Sequence, residues 1–114
     1  MRYMLIFKAD KDGVPACKDL AEMGTLMDEL KQSGVLLGTE GLQPTSSGAR
    51  VRLAGGKFTT TDGPFAEAKE LIAGFALVRV NSKDEAVELS KRFLRVAGEG
   101  ASEIREVIES PAPR

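Results

Sequence analysis

Asp62, Glu40, Lys69 and Arg52 are the side chains best suited to chemistry here, because the chain has no histidine to do it. That absence excludes a Ser-His-Asp triad, a Cys-His pair and a histidine general base. It also excludes histidine ligation of zinc or haem. Proton transfer would fall to carboxylates, lysine, arginine, tyrosine, hydroxyls, the thiol or a bound cofactor, and no cofactor motif is present. Gly55-Gly56 lacks the Lys-Ser/Thr of a phosphate loop.

Asp62 leads these candidates. A carboxylate beside a cavity can act as a base or bind a polar ligand when burial raises its pKa. The plainer reading is an Asx turn, with the carboxylate accepting amide hydrogens inside Asp62-Gly63-Pro64-Phe65 while Phe65 anchors the loop. Glu40 sits among Leu37, Gly38, Gly41 and Leu42. A buried carboxylate there needs a cation, Arg52 or Lys69, or a wet cavity. Asp62 and Glu40 in one site would form an acid–base pair or a weak divalent-cation site; no metal site is assigned. Lys69, flanked by Glu67 and Glu70, could orient an anion or serve as a desolvated base. Its plainer role is a solvated turn or an intersubunit ion pair.

Arg50 and Arg52 share a hairpin face with Thr59 and Thr61 and could grip a carboxylate or phosphate, or merely solvate that face. Tyr3 could donate a phenolic proton, although core packing is the commoner use of such a residue. Cys17, the one cysteine, lies near a helix start but has no histidine to activate it, and is read as incidental. The candidates are therefore Asp62 and Glu40 for catalysis, and Lys69, Arg52, Glu67 and Tyr3 for ligand binding.

Composition bounds what such a site could serve. Sixteen basic and seventeen acidic residues nearly cancel in 114, with a pI near 5.5, so the electrostatic footprint of a nucleic-acid binder is missing. No apolar run reaches membrane-spanning length. The opening Met1-Arg-Tyr-Met-Leu-Ile-Phe7 reads as a strand and not as a signal peptide. A lone cysteine suits a reducing compartment, so a cytoplasmic location is expected. The hydrophobic share of 42% and charged share of 29% fit one domain over 1–109, with 110–114 a frayed tail.

The elements that must position these residues emerge from periodicity. Residues 2–9 and 72–80 read as strands apolar on both faces, which places them centrally in a sheet. Residues 17–33 read as a helix with a stripe of Leu20, Met23, Met27 and Leu30, closed by Gly34. Residues 35–42 read as a strand. Residues 49–61 read as a hairpin turning at Gly55-Gly56, which pairs Leu53 with Phe58 and Arg52 with Thr59. Its half-apolar pattern suggests a ribbon lying over something. A turn at 62–64 and room for one helical turn at 66–70 precede the strand at 72–80. Ser82-Lys-Asp-Glu85 is a capping box opening a helix over 83–97, with Ala86, Leu89, Phe93 and Ala97 inward. Residues 101–109 read as an edge strand.

With the hairpin set aside the order is βαββαβ, the ferredoxin-like unit. Two helices cover one sheet face. A second copy of the chain is the economical cover for the other, so a homodimer is expected.

The run Thr61-Asp-Gly-Pro-Phe-Ala-Glu-Ala-Lys-Glu-Leu-Ile-Ala-Gly-Phe75 resembles the signature of the DGPF branch of the YCII-related family. Arg2-Tyr-Met-Leu-Ile6, Leu37-Gly-Thr-Glu-Gly-Leu-Gln-Pro44 and Ala49-Arg-Val-Arg52 support it in order. The resemblance implies a ferredoxin-like α+β fold of the dimeric α+β barrel type, pairing through the sheets, and a cavity near the subunit boundary. It also implies a bacterial setting, often beside sigma factors; a small anionic or polar ligand is the expectation from Lys69, Arg52 and Asp62. Broader relatives carry a His-Asp pair; this chain has no histidine to supply one. The function implied is an accessory or ligand-binding module, or else a cofactor-independent isomerase- or lyase-like enzyme using carboxylates.

Overall fold

Alternating apolar residues in the first strand sort to two sides of a sheet, and the rest of the architecture depends on which side the helices take. In the computed structural model, residues 1–9, 19–65 and 71–109 are described. The elements are β1 (Arg2–Ala9), α1 (Leu20–Gln32), β2 (Leu36–Gly41), β3 (Ala49–Ala54), β4 (Lys57–Asp62), β5 (Leu71–Arg79), α2 (Lys83–Ala97) and β6 (Ala101–Glu106). A short 3-10 turn, Thr45–Ser47, leads into β3. The helical turn expected at 66–70 and the tail at 110–114 lie outside the described residues.

The main sheet has the order β2-β5-β1-β6 and is antiparallel throughout. The two strands apolar on both faces, β1 and β5, are its central pair. Two helices on one antiparallel sheet, in this strand order, are compatible with a ferredoxin-like fold. Register sets the faces. Tyr3 lies opposite Val78 and Leu5 opposite Ala76, and all four are buried beneath α1 and α2. Met4 opposite Leu77 and Ile6 opposite Phe75 line the other face, where they are only half-buried.

α2 starts where its sequence dictates. The Ser82 hydroxyl accepts the Glu85 amide at 3.2 Å. The Glu85 carboxylate reaches one residue beyond the usual capping box and takes the Asn81 amide at 3.0 Å. Its buried residues are Ala86, Leu89, Ser90, Phe93 and Val96. α1 begins later than its periodicity predicts, at Leu20, because Asp19 accepts the Glu22 amide at 3.0 Å and so sets the cap. Cys17 and the first residues of the predicted helix lie outside the described residues. The buried stripe of α1 also shifts: Leu26 joins Leu30 in the core, while Leu20 is 78% exposed at the first turn.

β3 and β4 form a separate two-stranded sheet. Gly55 and Gly56 have φ of 59° and 78°, the positive values a two-residue hairpin turn needs. Leu53 faces Phe58 and Arg52 faces Thr59, in the register the turn predicts. The expectation that this ribbon lies over something is not met among the described residues, where every residue of both strands is exposed. The predicted turn at 62–64 is also shortened, since Asp62 still pairs with Ala49 as the last residue of β4.

Candidate functional site

Small residues leave room where the sheet and helices diverge. Gly41 of β2 pairs with Gly74 of β5, so this part of the floor carries no side chains. The β1–β5 ladder breaks register between Phe7 and Lys8. Above them α2 ends in Ala97-Gly98. The result is a pocket of about 250 Å³ whose walls include Phe7, Met23, Met27, Phe93 and Ala97. The Phe7 and Phe93 rings meet at 5.5 Å with a 56° tilt, which favours edge-on packing and holds that wall. Met23 and Met27 supply flexible, polarisable surface opposite them.

Polar groups are few. The Thr39 hydroxyl, on the same lining, donates to the Phe75 carbonyl at 2.8 Å, which leaves its oxygen able to accept from a guest. Glu40 and Glu99 border the pocket and are exposed. Lys8 also borders it, and its ammonium bonds Glu103 at 2.8 Å. That bond, with a second from Arg105, holds the Glu103 carboxyl below its usual range. Among the described residues no three His, Cys, Asp or Glu side chains converge to hold a metal.

The sequence candidates scatter. Glu40 borders the pocket, but by register its side chain shares the far sheet face with Phe75 and is exposed, where the sequence suggested burial. It sits in β2, an edge strand, opposite Phe75. Asp62 stands exposed at the foot of the hairpin opposite Ala49 and does not line the pocket. Arg52 is exposed further along the same ribbon, opposite Thr59. Tyr3 is buried under the helices, four residues along β1 from Phe7, a span of roughly 13 Å. Burial raises its phenol pKa, and the Glu106 carboxylate adds to the effect. Lys69 and Glu67 lie outside the described residues.

The Asx-turn reading of Asp62 gives way to another arrangement. The Phe65 amide donates to the Thr45 hydroxyl at 3.2 Å, and the Gly63 amide donates to the Gly48 carbonyl at 2.9 Å. The segment before β3 therefore holds the turn, and Asp62 accepts none of these amides. Arg50 is placed over the Phe65 ring at 4.2 Å, a cation–π contact of about 0.5–1 kcal/mol at an exposed site. Sequence reasoning missed the pocket itself, since Phe7, Met23, Met27 and Phe93 read as core. The small residues at 73, 74 and 97 were the available signal.

Comparison with known proteins matches residues 1–111 to the YCII-related domain. A curated relative, an uncharacterised protein of Rhizobium meliloti (strain 1021), is 32% identical over 72 residues, or 63% of this chain. The match spans 58% of that relative's own length. The family match runs through both helices, the main sheet and the hairpin; the chain belongs to the YCII-related domain family.

Proposed function

We propose that this protein is a small-molecule-binding member of the DGPF branch, working as a homodimer in a bacterial regulatory setting. The observation that carries the reading is the pocket of about 250 Å³ between α1, α2 and the sheet. The Asp62-Gly-Pro-Phe65 run supports the branch. The half-buried Met4, Ile6, Phe75 and Leu77 support pairing through the uncovered sheet face.

The lining shapes the ligand. Phe7, Phe93, Met23 and Met27 favour a compact apolar body over the small anion that Lys69 and Arg52 suggest. Glu99 at the rim opposes an anionic end. Thr39 offers an acceptor to a hydroxyl or amine on the guest. Calorimetric titration with compact phenols, anilines and the matching benzoates tests this. Saturable micromolar binding of the first two, lost when Ala97→Leu fills the pocket, is the expected result. Preference for the benzoates, or binding unchanged in A97L, would sink the reading.

A further inference from the structure

The β3–β4 hairpin presents the largest unexplained surface. Val51, Leu53 and Phe58 share one face and are 64%, 61% and 72% exposed. A two-stranded ribbon is only marginally stable alone in water, and among the described residues this one has no sheet beneath it. Its strands are nevertheless regular, with six paired positions in unbroken register.

We infer that the hairpin is an intersubunit arm, whose Val51–Leu53–Phe58 face packs onto a second copy of this chain. The inference rests on the homodimer reading above. Area points to a like copy. The uncovered face of a four-stranded sheet this long has a footprint of roughly 20 by 20 Å. A stable interface takes about 800 Å² from each partner, so the sheet face alone sits low. The hairpin adds a strip roughly 20 Å long from each copy, flanking the sheets.

The test is analytical ultracentrifugation of the wild type and of a Leu53→Thr/Phe58→Thr variant. A threonine pair keeps strand propensity while removing the apolar face. The wild type is expected to be dimeric, with the variant's dissociation constant raised roughly 100-fold or more. A dimeric wild type with an unchanged variant overturns the arm and leaves the sheet-paired dimer standing; the ribbon then serves another partner. A wild type monomeric at micromolar concentration overturns both. Should the variant fail to fold, hydrogen exchange of wild-type amides 50–61 decides the matter. Protection that falls on dilution through the dissociation constant supports the arm, and protection independent of concentration overturns it.

Discussion

Gly63 and Thr45 approach so closely that a β-carbon on Gly63 would overlap the Thr45 carbonyl. The same threonine's hydroxyl accepts the Phe65 amide at 3.2 Å. The glycine of Asp62-Gly63-Pro64 is therefore required by contact with a segment well before it in the chain, not by its own turn alone. Gly63→Ala is expected to destabilise by about 1–3 kcal/mol, as overpacking against backbone does. Thr45→Ala, which removes this acceptor, should cost about 1 kcal/mol. Urea unfolding of both variants checks the order.

Two side chains start the helices. Asp19 accepts from Glu22 and Ser82 from Glu85. Asp19→Ala and Ser82→Ala should each lower stability by about 1 kcal/mol, while Asn at either position should restore most of it. Chemical denaturation followed by circular dichroism reads both.

Phe93 is 2% exposed, and its ring meets that of Phe7 at the pocket wall. Phe93→Ala should cost about 3–5 kcal/mol, whereas Phe93→Leu should cost much less. If the alanine variant melts within a few degrees of wild type, the wall is not packed as described.

Acid should weaken the fold through two carboxylates. Glu103, bonded by Lys8 and Arg105, and Glu109, bonded by Arg2, both titrate below the ordinary value of 4.5. The folded chain then binds fewer protons than the unfolded chain in the window just below 4.5. Their stabilisation is present above that window and is lost as pH falls through the folded values. Glu103→Gln should be slightly less stable at neutral pH and lose less on acidification. Thermal melts from about pH 7 down to about 3 test it.

Alkali acts through Tyr3, whose pKa burial raises above 10.0. The folded chain keeps a phenolic proton that the unfolded chain releases, so stability falls as pH rises past 10.0. Tyr3→Phe should flatten that limb and leave neutral stability nearly unchanged. Unfolding at about pH 9 and at about pH 11 compares the two.

Local rules made much of the fold legible. Two strands apolar on both faces had to be central, and β1 and β5 are. Gly55-Gly56 fixed the hairpin register, and Ser82 fixed the start of α2. The missing histidine removes whole classes of chemistry whatever the fold. These are properties of neighbours in sequence: periodicity, turn dihedrals and caps.

Tertiary structure decided the rest. Whether Glu40 is buried depends on β2 lying at the sheet edge, which its own sequence does not state. Whether Asp62 closes its turn depends on Thr45 and Gly48 supplying the acceptors instead. The pocket exists because glycines in β2 and β5 fall opposite each other beneath an alanine of α2, three segments far apart in the chain. Contacts of that range are set by how whole elements pack, and no local pattern encodes them.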